Sequence, residues 1–288
     1  MRLGAVFPSL EIGNDPIAIR DYAQGVEALG YRHLLILEHV LGFDRPDFRS
    51  AVGGLTHASP FHEPLVLMGY LAACTRRIEL VAGVLVLPLR QTALVAKQAA
   101  EVDVLSGGRL RLGVGVGWIE PEFTALNQDW HTRGARSAEQ IAVLRALWTE
   151  SVVTFHGRWH QIEAAGINPL PVQRPIPLWL GGSAEATLKR IARLGDGWIT
   201  ARPPNDEARA LAGRLRAYIE AAGRATDAVG IEALLSLGKL PRAEWRGYVG
   251  DWRALGATHL SVNTMEQGYT SIQNHLDALR DARAVLEA

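Results

Sequence analysis

The sequence predicts an α/β fold, specifically a (β/α)8 TIM barrel over residues 1–288 with one insertion before the fifth strand, and three observations carry that prediction. The segment Arg77–Gly117 is a strand–helix–strand unit whose two strands are almost wholly apolar. Strands buried on both faces occur chiefly in parallel sheets covered by helices on each side. Strand and helix patterns then alternate along the whole chain, giving eight strand candidates in series, the repeat expected of a barrel. Finally, the 288 residues suit one barrel, since such folds reach about 250 residues as a single domain. A doubly wound sheet shares the alternation, because sequence does not display closure.

Taken in order, Leu3–Pro8 forms the first strand. Asn14-Asp15-Pro16 opens a helix that Gly30 closes, with a capping acid, an early proline and a terminal glycine as its signals. His33–Leu37 is the second strand. Glu38–His62 has no clear period and carries glycines and prolines; at that length it is a binding loop or lid. Helix Glu63–Thr75 leads into the strand–helix–strand unit. After Gly117 comes an irregular stretch, then helix Ala135–Thr149 with its stripe Ile141, Leu144 and Trp148. Val152–Ile162 alternates around Gly157 as a β-hairpin, and with the Pro-rich connector Asn168–Pro177 it makes up the insertion, residues 151–177. Strand Leu178–Leu180, helix Ala184–Leu194, strand Gly197–Thr200, helix Asp206–Ala222, strand Ile231–Leu237, helix Ala243–Leu255, strand His259–Val262 and a closing helix from Ser271 complete the chain.

Thirty basic residues balance thirty acidic ones, which argues against nucleic acid or an anionic membrane as a partner and for a small-molecule substrate. The single cysteine, Cys74, sits in an apolar helix. It cannot form an intramolecular disulfide, and reads as a core thiol in a reducing compartment. No signal-peptide pattern is visible, and no apolar run reaches the roughly 18 residues of a membrane span. A soluble, cytoplasmic protein is expected.

A barrel places its chemistry at the C-terminal strand ends. There the sequence offers Phe7-Pro8, Glu38-His39, Gly83 to Pro88, Gly115 to Trp118, Gly181-Gly182-Ser183, Trp198 to Arg202, Ser236 and Asn263. Glycines at 83, 113, 115 and 117 fall where side chains would fill a core, so something else needs that space, a ligand being the natural candidate. Gly181-Gly182-Ser183 stands between a strand and a helix: either a phosphate seat at the helix N-terminus or a glycine turn with Ser183 as N-cap. Gly113 to Trp118 fails as a dinucleotide fingerprint, because Trp118 takes the place of the third glycine.

His39, at a strand end, is suited to proton transfer near neutral pH or to a hydrogen-bonded structural role; His57 and His62 are weaker candidates. His156 and His160 lie four apart on a hairpin, with neither HExxH nor paired cysteines in the chain, so no metal is expected. The absence of a GxSxG elbow leaves hydrolase chemistry unsupported. Trp118, Trp179 and Trp198 are candidates to wall a planar cofactor, with a core role as the alternative for Trp179.

From Gly83-Val84-Leu85-Val86-Leu87-Pro88-Leu89-Arg90 through Asp103 to Arg109, then Gly113 to Trp118, Arg133 to Arg136, Phe155-His156-Gly157, Pro177 to Gly182 and Leu194 to Trp198, the chain closely resembles the luciferase-like monooxygenase superfamily. It looks most like the branch of probable deazaflavin-dependent oxidoreductases. That resemblance implies a barrel that binds coenzyme F420 or, alternatively, FMN. It also implies a non-prolyl cis peptide at Gly83–Val84 behind the ring, with Glu38, Gly83, Val84, Leu85 and Val86 beside it. Gly181, Gly182 and Ser183 would hold the phosphate, flanked by Trp198 and Thr200. His39 would be catalytic, moving a proton, while Phe7 and Trp118 are candidates for the substrate pocket. Trp118 stands where a sugar-phosphate-oxidising branch carries glutamate, which argues against that substrate. Relatives are often homodimers.

The activity implied is hydride transfer between coenzyme F420 and a small organic substrate. The alternatives are an FMN-dependent monooxygenase, a non-catalytic flavin-binding protein, and a barrel lyase without a redox cofactor. Arg45, Arg49 and Arg90 are candidates for the acidic tail of a deazaflavin, or else scattered surface charges. Phe43, Phe48 and Phe61 either line an apolar pocket or anchor the long loop.

Overall fold

A computed structural model describes residues 1–44 and 56–287. Its strands are β1 (Arg2–Val6), β2 (His33–Ile36), β3 (Glu79–Ala82), β4 (Leu85–Val86), β5 (Leu110–Gly115), β6 (Val153–His156), β7 (Gln161–Ala165), β8 (Leu178–Gly181), β9 (Gly197–Thr200), β10 (Gly230–Ser236) and β11 (His259–Asn263). All but β6 and β7 run parallel in the order β3-β2-β1-β11-β10-β9-β8-β5, and β3 pairs with β5 through Leu80↔Leu110 to close the circle. The sheet is therefore a closed eight-stranded barrel, not a doubly wound sheet. β4 resumes the path of β3 after the cis peptide Gly83–Val84, pairing Leu85 with Val114. β6 and β7 form the expected hairpin, extended to Ala165.

The helices are α1 (Pro16–Ala28), α2 (Pro64–Cys74), α3 (Thr92–Ser106), α4 (Glu120–Ala125), α5 (Arg133–Thr149), α6 (Glu185–Leu194), α7 (Asp206–Ala221), α8 (Trp245–Ala254) and α9 (Ile272–Glu287). Helix α1 starts as its sequence dictates: the Asp15 carboxylate accepts from Ile17 N–H at 2.9 Å beside Pro16, satisfying an otherwise orphaned donor. Gly30 ends the segment at φ +81°, a conformation that is costly for residues with a Cβ. Helix α4 lies in the stretch expected to be irregular. No helix among the described residues is long and apolar enough to cross a membrane.

Strand alternation divides the core in two. Outward residues such as Ala5, Leu34, Leu80, Leu112 and Leu180 pack under the helices, whereas Val6, Leu35, Val81, Trp179, Ile199 and Met265 fill the barrel. The inward glycines make that filling possible. A Cβ on Gly4 would lie 2.1 Å from the His33 ring, one on Gly197 2.1 Å from Trp179, and one on Gly113 2.0 Å from the Ala82 carbonyl oxygen.

The lower interior is polar. Buried Glu232 receives His33 Nε2 at 2.9 Å, the Ser261 hydroxyl at 2.6 Å and the Arg111 guanidinium. Arg111 also meets Glu79 at 3.0 Å and stacks over Trp179. Burial pushes the Glu232 carboxyl up, but the charges of His33 and Arg111 outweigh it and hold the group well below the carboxylate range. Trp179 thus has the core role. Cys74 is only partly buried, at the last residue of α2, rather than in the core.

Candidate functional site

The C-terminal ends of β1, β2, β3, β5 and β11 surround a cavity of about 380 Å³ whose wall includes Leu10, Leu37, His39, Phe61, Val84, Val86, Trp118, Glu122 and Met265. The glycines of the third and fifth strands explain its floor. A Cβ on Gly115 would stand 2.7 Å from Val84 Cγ2, and one on Gly181 would stand 3.0 Å from Val84 Cγ1. Their missing side chains make room for Val84, which forms the floor at the cis peptide. Gly83 in turn abuts Leu35, and Gly117 abuts Val86 and Phe123. The space attributed from sequence to a ligand is therefore taken by the protein itself, and a ligand would rest on Val84 rather than replace it.

Glu38 anchors this floor from β2. Its carboxylate, 1% exposed, accepts from the Val86 N–H and from Arg90 Nε at 2.9 Å. Burial pushes the Glu38 carboxyl upward against the opposing pull of Arg90. Arg90 continues to Glu63 at 2.7 Å, so it is committed to two carboxylates and is not a free cation for a cofactor tail. Arg45, Arg49 and Phe48 lie outside the described residues.

His39 packs edge-on against Phe61 (4.9 Å between centroids) and Trp118 (6.3 Å). Burial lowers its pKa below the ordinary value, with the nearby Glu122 carboxylate pulling the other way, so near neutral pH the imidazole is a proton acceptor. Glu122 is a candidate site residue that the sequence did not single out. Its Oε1 accepts from Val40 N and Leu41 N, each at 3.1 Å, and lies 4.0 Å from His39 Nδ1 with 3% of the side chain exposed. One carboxylate thus fixes the backbone leaving β2 and faces the histidine there. The signal was available in Glu120-Pro121-Glu122, an early proline among acids, which marks the first turn of a helix.

The second group of predicted residues clusters across Val84, outside the cavity wall. Helix α6 has Ala184 at its N-cap, with no side chain to cap it, so Ser183 is not an N-cap. Its hydroxyl accepts from Arg202 Nη2 at 3.0 Å instead. Gly182, at φ +115°, is exposed. Its carbonyl accepts from Trp198 Nε1 at 2.8 Å, while Thr200 Oγ1 accepts from Arg202 N at 3.3 Å. These contacts correct three expectations. The Trp198 side chain is fully buried against Trp252 and supports the glycine turn from behind instead of walling a cofactor. Leu85 faces the outer core. Phe7 is fully buried against Tyr22, 5.9 Å away, and does not line the cavity. In each case strand parity turns the side chain toward the helices. Trp118, 56% exposed, does line the cavity.

His160 is tied to Thr92 (2.6 Å) and Glu139 (2.8 Å), pinning the hairpin to α3 and α5. His156 is exposed beside Glu163. His62 contacts Phe7 edge-on.

Known proteins resemble the chain in sequence and in fold. An uncharacterized protein of Mycobacterium tuberculosis is 39% identical over 165 residues, covering 57% of each chain. An FMNH2-dependent dimethylsulfone monooxygenase of Pseudomonas putida is 32% identical over 178 residues, covering 60% of this chain and 48% of the relative. The chain thus spans roughly half the length of the curated relatives it matches. Among solved structures, an F420-dependent secondary alcohol dehydrogenase superposes with TM-score 0.81 at 15% identity, covering 99% of this chain and 98% of the other. A monooxygenase of Streptomyces bottropensis gives 0.75 at 20%, covering 99% and 96%. The family described as luciferase-like monooxygenase matches residues 3–283, nearly the whole barrel from β1 into α9, and the chain belongs to that family.

Proposed function

We propose that this protein transfers hydride between coenzyme F420 and a small organic substrate, with His39 exchanging the proton. The observation that carries the reading is His39 in the wall of the strand-end cavity, held neutral by burial and faced by a carboxylate that is itself anchored to backbone. The residues fit a flavin-type cofactor at both ends. Val84 offers an apolar floor in the cavity, and the Gly181–Ser183 turn offers an uncapped helix N-terminus with Arg202 beside it, the chemistry that receives a phosphate. A bound deazaflavin supplies a two-electron acceptor for hydride.

The chain's own residues do the rest. As a substrate alcohol loses hydride from carbon, His39 takes the hydroxyl proton, and in the reverse direction it returns that proton to the carbonyl oxygen. Glu122 stabilises the imidazolium and holds the backbone at Val40 and Leu41. Trp118 and Phe61 supply apolar wall beside the reacting carbon. Glu38 and Arg90 hold the floor in register with β2.

A second reading is an FMN-dependent monooxygenase, favoured by the 32% identity to the Pseudomonas putida enzyme. Fluorescence quenching with FMN and coenzyme F420 in turn, followed by turnover with and without oxygen, separates the two. Tight F420 binding and oxygen-independent oxidation of a small alcohol are expected. Oxygen consumption with reduced FMN supports the second reading, and binding of neither cofactor overturns both.

A further inference from the structure

At the opposite, N-terminal face of the barrel lies a second hollow, of about 570 Å³, larger than the cavity at the strand ends. Four arginines line it, each from a different part of the chain: Arg2 opens β1, Arg32 precedes β2, Arg253 closes α8 and Arg283 lies on α9. Glu287 is the one carboxylate among its described lining residues, and Arg283 Nε already holds it at 2.9 Å. Among the described residues, Arg2, Arg32 and Arg253 have no carboxylate partner. The Arg283 guanidinium lies directly over Gly30, with Nη1 2.0 Å from where a Cβ would stand.

In a chain with as many acidic as basic residues, composition does not explain this convergence. Like charges brought together around a single carboxylate repel one another, and a multivalent anion reverses the sign of that interaction. Guanidinium groups present paired N–H donors in the geometry that phosphate oxygens accept. The hollow's volume falls within the range of about 300–1,000 Å³ usual for small-ligand sites, and its concavity suits a compact ligand better than a flat macromolecular surface.

We propose that this hollow binds a small phosphate-bearing anion, separately from the strand-end cavity. The site is independent of which cofactor occupies the other face.

The test is isothermal titration of the full chain with sodium pyrophosphate against sodium chloride at matched ionic strength. Saturable pyrophosphate binding is expected, weakened about tenfold in each of Arg32→Gln and Arg253→Gln. It should persist in Arg202→Gln, which removes contacts to Ser183 and Glu207 at the opposite face. Arg32 and Arg253 are exposed, so both variants fold, and thermal melts verify it. The proposal is overturned by an absence of saturable binding, by binding that survives the Arg32→Gln/Arg253→Gln double variant, or by binding abolished in Arg202→Gln, which would place the anion at Gly181–Ser183.

Discussion

Replacing Glu122 by glutamine keeps the shape of the side chain and an acceptor for Val40 and Leu41, and removes only the charge facing His39. At the observed 4.0 Å, Coulomb's law gives about 4 kcal/mol at an effective dielectric of ~20 and about 1 kcal/mol at that of water. The His39 side chain is 17% exposed, which places the pair between those limits. The His39 titration should therefore move down measurably, because the carboxylate that favoured the imidazolium is gone. Long-range ¹H–¹⁵N spectra across a pH series measure this directly in the protein without cofactor, with His39→Asn identifying the signal. Glu122→Ala provides the contrast, since it also frees the backbone at Val40 and Leu41. In turnover assays the acid limb of kcat/KM should shift by the same amount. A Glu122→Gln titration that coincides with wild type would refute the pairing, whatever the activity does.

Three further outcomes follow from the packing. Gly115→Ala brings a methyl to 2.7 Å from Val84 Cγ2 and should push Val84 into the cavity; loss of flavin or deazaflavin binding with a melting temperature lowered by only a few degrees is expected, and undiminished binding would show that Val84 is not the floor. Glu232→Gln leaves Arg111 and His33 facing a neutral group in the barrel interior and should cost about 3–5 kcal/mol in urea unfolding, whereas a near-neutral result would mean that the interior is hydrated. Acid should destabilise the fold progressively. Burial holds His275 down to about 4, and burial with the charges of Arg111 and His33 holds His259 down to about 3, while in the unfolded chain both protonate near pH 6.5, at about the ordinary value. The unfolded state therefore binds these protons first, and stability falls as pH drops below about 6.5. Glu232, with its depressed pKa, adds a further loss once the unfolded carboxyl begins to protonate near pH 4.3, at about the ordinary value. Unfolding midpoints that stay level from pH 7 to about 4 would contradict this.

The almost wholly apolar runs around Leu80 and Leu112 made the parallel strands legible, as Asp15-Pro16 and Gly30 did for the first helix. Closure was not legible, because Leu80↔Leu110 is a pairing between strands that carry no local mark of it. At the site, His39, Glu38, Val84 and the Gly181–Ser183 turn could be located by their place at strand ends. What each side chain faces could not. Trp198 and Leu85 look like pocket walls until strand parity assigns them to the outer core. The inward glycines look like room for a ligand until Val84 and Trp179 are seen to occupy it. Glu122 escaped notice because a six-residue helix is too short to establish a period.

The polar layer inside the barrel also has a consequence for strand alignment. A sheet closed into a barrel must choose how far its strands are staggered around the circle. Sliding one strand by two positions keeps every side chain on its own face, so a purely aliphatic filling penalises the error weakly. Here His33, Glu79, Arg111, Glu232 and Ser261 come from five different strands and meet at one level. A two-residue slip of β10 would separate Glu232 from three partners together, leaving charges stranded in the interior. The stagger of this barrel is keyed by charge, so that a misaligned closure leaves unpaired ions in its interior.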